Sequence, residues 1–177
     1  MDITFAVVTT SDTRSIEQDS AGQALCDLIR ARGWRVVSHV IVHDEVGEIT
    51  PAIKKAVDEL GADVVITCGG TGISPRDVTP EATMAACDRS VPGVAEAIRA
   101  ASLAKTSHAM LSRAVCMMRG RALVINFPGS ERAARECWDV IADEMEHAQR
   151  MIAGEHHHDH DHGHGHGHGH DGEAHEG

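Results

Sequence analysis

The sequence predicts an α/β fold: a three-layer α/β/α sandwich with a mainly parallel sheet. The chain has 177 residues, which is enough for one domain with a substantial core. Short apolar runs rich in β-branched residues alternate with segments whose apolar residues recur at helical spacing. Such alternation is typical of right-handed βαβ units, which place helices on both faces of a parallel sheet.

Five apolar runs are candidate strands. The runs at residues 3–9, 34–42, 63–67 and 122–127 each lead into a polar or glycine-containing loop. Residues 110–118 are compatible with helix or strand, and we expect an extended segment at the edge of the sheet. The first four strands, with the helices between them, define the predicted parallel part of the sheet.

Helices are predicted between these strands and after the last one. Asp19 or Ser20 is a suitable N-cap for the first helix, and Pro51 fits the first turn of the second. Two helices follow over about residues 79–88 and 93–104. Ser130 is a suitable N-cap for one long last helix, which we expect to end at Gly154.

The composition changes sharply after Gly154. Residues 155–177 contain ten of the 14 histidines, six acidic residues and six glycines, and they contain no lysine or arginine. A segment with so little apolar surface cannot offset the entropy lost on ordering. The sequence therefore predicts one domain over residues 1–154 and a disordered tail rich in His, Asp and Gly over residues 155–177.

The tail has the chemistry of a transition-metal ligand. Closely spaced imidazoles chelate Ni²⁺ and Zn²⁺, although nothing in the sequence links this capacity to the rest of the chain. The histidines are not a uniform run of six, which favours a natural segment over a purification tag. The candidate tail ligands are His156, His157, His158, His160, His162, His164, His166, His168 and His170.

Charge, hydropathy and cysteine usage argue against several classes of protein. The formal net charge is −11 without a basic stripe, so we expect no nucleic-acid partner. No apolar run approaches the ~20 residues of a membrane span, so we expect no membrane partner. The five cysteines are odd in number and lie among apolar neighbours. We expect them to be reduced thiols, in a cytoplasmic protein.

Residues 67–81 are the segment around which the chain is organised, because a predicted strand leads there through a glycine loop into a helix. Gly69, Gly70 and Gly72 would expose backbone amides to an anion such as a phosphate. Asp77 adds a carboxylate that would repel this anion unless a cation such as Mg²⁺ bridges the two. On composition alone, a simple glycine turn with Asp77 as a helix cap fits equally well.

Three more loops are predicted at the same edge of the sheet, where open α/β proteins bind ligands. Ser130 could hold a phosphate at a helix N-terminus or act only as an N-cap. Arg76 and Arg113 are candidates for balancing an anionic substrate. Two acidic loops and two phosphate-type loops on one edge predict a nucleotide-plus-phosphate site. The three loops contain Ser11-Asp12, Asp44-Glu45 and Pro128-Gly129-Ser130.

Seven short motifs occur in order along the chain: Ser11-Asp12, residues 19–22, the GGTG of residues 69–72, the PRDVTPEA of residues 75–82, residues 88–93, residues 111–114 and residues 126–130. Together these motifs resemble the MogA/MoaB family of molybdenum cofactor biosynthesis proteins. The match covers about residues 3–152, and in length the chain is closer to MoaB. The histidine tail is not part of the family pattern.

This resemblance implies a molybdopterin adenylyltransferase, which uses MgATP and the terminal phosphate of molybdopterin and releases pyrophosphate. A partner molybdotransferase would then insert the metal. By position, Asp44 and Asp77 would be the catalytic residues that hold Mg²⁺ and the triphosphate. The resemblance also implies a homo-oligomer, trimeric or hexameric. The implied nucleotide and molybdopterin contacts are Ser11, Asp12, Gly69, Gly70, Thr71, Gly72, Arg76, Ser112, Asn126, Pro128, Gly129 and Ser130.

Two functions of other classes stay open. One is a MoaB-like protein that binds molybdopterin or docks a partner without catalysis. The other is a metal-storage or metal-delivery module that acts through the tail. Asp44 and Asp77 favour the enzyme, because a pure binding protein has no use for a pair of carboxylates that holds Mg²⁺.

Overall fold

A six-stranded sheet forms the centre of the fold, and the computed structural model describes residues 1–154. The strands are β1 (Thr4–Thr10), β2 (Arg35–Val42), β3 (Val64–Cys68), β4 (Arg89–Ser90), β5 (Cys116–Arg119) and β6 (Ala122–Phe127). Their order across the sheet is β2-β1-β3-β6-β5-β4. The first four in this order are parallel, whereas β5 is antiparallel to β6 and β4 is antiparallel to β5.

Helices cover both faces of the sheet, which confirms the predicted three-layer α/β/α sandwich. Alternate residues of β1 point to opposite faces. The helices are α1 (Ser20–Ala31), α2 (Val46–Asp58), α3 (Thr79–Ala86), α4 (Pro92–Leu103), α5 (Glu131–Ile141) and α6 (Met145–Ala153). Phe5 and Val7 belong to the larger core, which lies under α1, α4, α5 and α6. Ala6 and Val8 belong to the smaller core, which lies under α2 and α3.

Three of the four aromatic residues form one cluster in the larger core. Phe5 stacks on Trp34 with ring centroids 5.4 Å apart, and Trp138 meets both rings edge-on at 5.8 and 5.9 Å. Such pairs add about 0.5–1.5 kcal/mol beyond the area they bury. The cluster packs the amino ends of β1 and β2 against α5.

Helix α2 begins five residues before the predicted position at Pro51. The carbonyl of Glu45 accepts hydrogen bonds from Glu48 and Ile49, at 3.0 and 2.9 Å, and these bonds form the first turn. Pro51 therefore lies inside the helix, where it removes one backbone hydrogen bond. Ile49 is fully buried in the smaller core, which stabilises the early turn in spite of the proline.

The predicted edge segment also differs from the structure. Residues Ser107–Leu111 form a 3₁₀ helix, and the strand in this part of the chain is limited to Cys116–Arg119. Strand β5 is not at the edge, because the two-residue strand β4, which lacks any apolar run, pairs outside it. The predicted long last helix is divided into α5 and α6 by a 3₁₀ turn, Ala142–Glu144.

The structure describes all five cysteines and the helices of residues 1–154. All five cysteines are free thiols, of which four are buried and Cys87 is half-buried. Among the helices described here, none combines enough length with enough apolar character to cross a lipid bilayer.

Candidate active site

Four loops meet at the carboxyl edge of the parallel strands, as the sequence predicts. The N–H of Ser11 donates to the carbonyl of Val42 at 2.9 Å, and this bond joins the end of β1 to the end of β2. The N–H of Gly69 donates to the carbonyl of Phe127 at 3.0 Å, which joins the ends of β3 and β6. The site is therefore assembled from segments that are distant in sequence.

The glycine loop, residues 69–72, requires glycine for both conformation and space. Gly69 and Gly70 have φ values of +105° and +61°. A Cβ atom at Gly70 would lie 2.4 Å from the hydroxyl oxygen of Thr79. A Cβ atom at Gly129, in the turn after β6, would lie 3.2 Å from the Cα of Gly69. Glycine therefore allows the two loops to pack closely against each other and against Thr79.

A cavity of about 350 Å³, the polar pocket, lies over this loop. Its walls are formed at the end of β1 and just after it, at Asp44, by the glycine loop, at Asp77 and at Gly129; the residues from the β1 end are Thr10, Ser11, Thr13 and Arg14. Both carboxylates lie against the glycine loop, because Cβ atoms at Gly70 and Gly72 would come within 3.1 Å of Asp44 Oδ1 and 2.9 Å of Asp77 Oδ2.

The carboxylate of Asp77 does not cap a helix. Its Oδ2 accepts a hydrogen bond from the N–H of Ser74 at 2.8 Å, within the loop that precedes α3. The N-cap position of α3 is Val78. The alternative interpretation, in which Asp77 is only a helix cap, is therefore wrong.

Asp44 is placed where a nearby cation would stabilise its charge. Burial raises the pKa of Asp44, and the negative charge of Asp12 raises it further, in spite of a hydrogen bond from Thr10 that lowers it. Among residues 1–154, no cluster of three metal-ligating side chains occurs. Mg²⁺ typically uses one or two carboxylates and completes its octahedron with substrate phosphates and water. Asp44 and Asp77 fit that partial ligand set.

Arg76 is held by acidic neighbours beside the pocket rather than within its lining. Its guanidinium donates to both carboxylate oxygens of Asp12, at 2.9 and 3.0 Å, and to Glu45 at 2.8 Å. These bonds hold the pKa of Asp12 below its usual range. Asp12 in turn accepts from the N–H of Asp44 at 3.2 Å, so the pair positions the loop after β2.

A second cavity, the apolar pocket, lies between α4, the 3₁₀ helix Ser107–Leu111 and α5. Its volume is about 270 Å³, and Ile98, Leu111 and Pro128 contribute to an apolar lining. Thr71 and Gly72 line both pockets, so the glycine loop separates a polar chamber from an apolar one.

Two predicted contacts have internal partners. The buried amide of Asn126 donates to the hydroxyls of Thr67 and Thr83, at 2.9 Å each, and its oxygen accepts from the N–H of Val115 at 3.2 Å. Ser130 Oγ accepts from the N–H of Ala133 at 3.3 Å, which confirms Ser130 as the N-cap of α5. For these two residues a contact with a ligand stays a prediction.

Arg113 holds the glycine loop and the residues after it in position by hydrogen bonds. Its Nε donates to the carbonyl of Gly72 at 2.6 Å, and its other nitrogens donate to the carbonyl of Asp77 and to the carboxylate of Glu81. Its own N–H donates to the carbonyl of Thr71 at 2.8 Å. The sequence makes Arg113 a candidate for substrate binding, whereas the structure uses its side chain to position the loop.

The predicted site residues divide into four groups. Asp12, Arg76 and Ser130 lie outside both pocket linings. The tail histidines, His156 to His170, lie outside the described residues. The polar pocket is lined by Ser11, Asp44, Gly69, Gly70, Thr71, Gly72, Asp77 and Gly129. The apolar pocket is lined by Thr71, Gly72, Ser112, Asn126 and Pro128.

Arg14 is a residue of the polar pocket that the site prediction omits. Its Nη1 donates to the carbonyl of Gly129 at 2.9 Å. In the sequence, the only signal is a basic residue five positions after the predicted end of the first strand at Thr9. The contact that brings Arg14 to the pocket joins residues 115 positions apart, which no local pattern indicates.

Fold and site together place the chain among α/β proteins whose ligand site lies at the carboxyl edge of a parallel sheet. Residues 6–147 match the family described as "Probable molybdopterin binding domain". The protein therefore belongs to this family, and the predicted resemblance to MogA and MoaB proteins is confirmed for the described domain.

Individual relatives agree with this assignment. The chain is 41% identical over 144 residues to the Molybdenum cofactor biosynthesis protein B of Bacillus cereus, covering 80% of this chain and 85% of that protein. It is 33% identical over 156 residues to the Molybdopterin adenylyltransferase of Helicobacter pylori, covering 86% and 89%. It is 39% identical over 154 residues, 85% of this chain, to the Molybdenum cofactor synthesis protein cinnamon of Drosophila melanogaster, but spans only 26% of that protein.

Solved structures show the same fold. The crystal structure of the molybdopterin biosynthesis enzyme MoaB from Thermus thermophilus superposes with a TM-score of 0.78 at 36% identity. The superposition covers 86% of this chain and 97% of the Thermus chain. The molybdopterin biosynthesis Mog protein from Mycobacterium ulcerans gives a TM-score of 0.79 at 36% identity, covering 85% and 99%.

Proposed function

We propose that the protein is a molybdopterin adenylyltransferase that consumes MgATP and releases pyrophosphate. The observation that carries the proposal is the placement of Asp44 and Asp77 in one polar pocket, over a glycine loop that separates it from an apolar pocket. A polar chamber suits a triphosphate, and an apolar one suits a flat heterocycle. The adenylyltransferase name of the Helicobacter pylori relative supports the same reaction.

The reaction requires positioning rather than an activated side chain. An oxygen of the terminal phosphate of molybdopterin attacks the α-phosphorus of ATP and forms a new P–O bond. The bond from the α-phosphorus to the α,β-bridging oxygen breaks, and pyrophosphate leaves with the electron pair. Because the nucleophile is already an ionised phosphate, no general base is needed. Mg²⁺ held by Asp44 and Asp77 would neutralise charge on the phosphates.

The two pockets give the substrates separate places. We assign the triphosphate to the polar pocket, which the glycine loop of residues 69–72 lines. We assign the pterin to the apolar pocket, with Ser112 and Pro128 in its wall. Arg113 fixes the carbonyls of Gly72 and Asp77, so the loop between the substrates is held in place for reaction.

The substitution Asp77→Asn tests the proposal. It keeps the size of the side chain but removes the charge that would hold Mg²⁺. We expect ATP-dependent formation of adenylylated molybdopterin to fall by at least about a hundredfold, with molybdopterin binding largely intact. A coupled assay of pyrophosphate release and a direct binding titration measure the two effects.

The control is Asp58→Asn, which removes a carboxylate that pairs with Arg119 and lines neither pocket. This variant should turn over like the wild type. Full turnover by Asp77→Asn would disprove the role of Asp77. Absence of pyrophosphate release from the wild-type protein would instead favour the second candidate, a molybdopterin-binding protein without catalysis. The Bacillus cereus relative is named for cofactor biosynthesis without a stated reaction, which is compatible with either candidate.

The cellular setting completes the proposal. Free, buried thiols are typical of a reducing compartment, so we place the protein in the cytoplasm. We further propose a homo-oligomer, trimeric or hexameric, and a molybdotransferase that accepts the adenylylated product. We assign the histidines of residues 156–170 to a separate transition-metal site for Ni²⁺ or Zn²⁺, on composition alone.

A further inference from the structure

Arg14 is held at the polar pocket by contacts at both ends of the residue. Its backbone N–H donates to the hydroxyl of Ser11 at 3.2 Å, which turns the loop after β1 back on itself. Its guanidinium reaches the turn after β6, where Nη1 donates to the carbonyl of Gly129 at 2.9 Å. The side chain therefore lines the pocket and joins two loops that we assign to substrate binding.

The charges around the pocket distinguish Arg14 from the other arginines nearby. Arg76 pairs with Asp12 and Glu45, and Arg113 pairs with Glu81. Both of these positive charges are compensated by carboxylates. The partner of Arg14 within residues 1–154 is a carbonyl oxygen, which carries no net charge. Arg14 thus brings positive charge to a pocket whose other charged side chains in the described chain are Asp44 and Asp77.

We propose that Arg14 binds a phosphate group in the polar pocket. A guanidinium has five N–H donors in a planar fork that matches phosphate oxygens, and the bond to Gly129 uses one of them. The phosphate comes either from the polyphosphate of ATP or from the phosphomonoester of molybdopterin. The identity of these substrates rests on the proposed function, whereas the anion site itself rests on the geometry of Arg14.

The experiment compares the full-length wild-type protein with Arg14→Gln, Arg14→Lys and a control, Arg30→Gln. Arg30 is an exposed arginine of α1 that lines neither pocket. Isothermal titration calorimetry with inorganic pyrophosphate in the presence of Mg²⁺ measures the affinity for a polyphosphate. Titration with molybdopterin measures the affinity for a phosphomonoester. Neither titration requires turnover, so the result is independent of whether the protein is an enzyme.

We expect Arg14→Gln to weaken at least one of the two ligands by about tenfold or more, because a charge-assisted contact is lost. Arg14→Lys should be intermediate, since lysine keeps the charge but not the fork, and Arg30→Gln should bind like the wild type. If only the binding of pyrophosphate is weakened, Arg14 contacts the polyphosphate of ATP. If only the binding of molybdopterin is weakened, Arg14 contacts its phosphomonoester. Unchanged binding of both ligands by Arg14→Gln and Arg14→Lys would overturn the proposal.

Discussion

Gly70 and Gly33 share a backbone conformation but have different surroundings. Their φ values are +61° and +78°, in the region where a residue with a side chain is strained. A Cβ atom at Gly33 would meet nothing within 4 Å, whereas one at Gly70 would lie 2.4 Å from the hydroxyl of Thr79. The two glycines therefore separate the cost of backbone strain from the cost of a steric clash.

We expect Gly33→Ala to lower the free energy of unfolding by about 1–2 kcal/mol, the cost of left-handed backbone. Gly70→Ala should cost about 1–3 kcal/mol more, because Thr79 and the start of α3 must move. Urea unfolding of both variants measures the difference. Equal losses would show that the loop yields to the extra methyl group without strain.

At the scale of single residues, local sequence predicts some site residues and not others. Gly70 and Asp77 stand in a continuous motif, so their place beside a strand end follows from the order of residues. Asn126 stands in a motif too, but its partners Thr67 and Thr83 lie on other elements. The partner of Arg14 depends in the same way on the folded loops. Such contacts are visible only after the chain has folded.

At the scale of elements, an ion pair between buried Asp19 and partly buried His39 joins the start of α1 to β2. Asp19, the N-cap of α1, accepts from the N–H of Gly22, from Thr9 and from His39 Nε2 at 2.7 Å. The hydrogen bond to Asp19 raises the pKa of His39 to about 9. Burial raises the pKa of Asp19, but the bonds from His39, Thr9 and Gly22 outweigh burial and leave it lowered. The pair is therefore ionised at neutral pH.

This pair predicts the direction in which stability changes with pH. A folded-state pKa of about 9 against an unfolded value of 6.5 means that His39 stabilises the fold fully below pH 6.5. The contribution, on the order of 3 kcal/mol, is lost as the pH rises to about 9. We expect the difference in free energy of unfolding between wild type and His39→Gln to shrink by this amount between pH 6 and pH 9.

Urea unfolding at several pH values in this range makes the measurement. Burial raises the pKa of Cys87 to about 11, and unfolding exposes its thiol to ionisation at high pH in both proteins. Because this effect is the same in wild type and His39→Gln, it cancels in the difference between their free energies of unfolding. A histidine that titrates alike in the folded and unfolded states contributes nothing to that difference. Parallel stability curves for wild type and His39→Gln would contradict an ionised pair.

Helices and strands were predictable where the tertiary packing agrees with the periodicity of apolar residues in the sequence. Strand β6 and the N-cap at Ser130 follow from an apolar run and a capping residue in sequence. The start of α2 does not follow from the sequence, because burial of Ile49 outweighs the local signal of Pro51. Strand β4 has only two residues, and its pairing with β5 comes from the tertiary fold. Local pattern therefore predicts the parallel half of the sheet better than the antiparallel half.

At the scale of the whole molecule, the described domain and the histidine segment have separate compositions and, we expect, separate functions. The two pockets and both cores are built from residues 1–154. Residues 155–177 carry most of the histidines and a single apolar residue, Ala174. We therefore propose that the domain carries out the reaction and that the histidine segment binds the transition metal.

Truncation after Gly154 tests this division. We expect the shortened chain to keep its free energy of unfolding, and to keep kcat/KM for adenylylation within about twofold, because no site residue is removed. Binding of Ni²⁺ or Zn²⁺, measured by calorimetric titration, should be lost. In a matched control, the nine histidines from His156 to His170 are replaced by serine in the full-length chain. This control should lose metal binding in the same way. A truncated chain that loses activity while the serine variant keeps it would show that the segment contributes to the site by its presence rather than by its imidazoles.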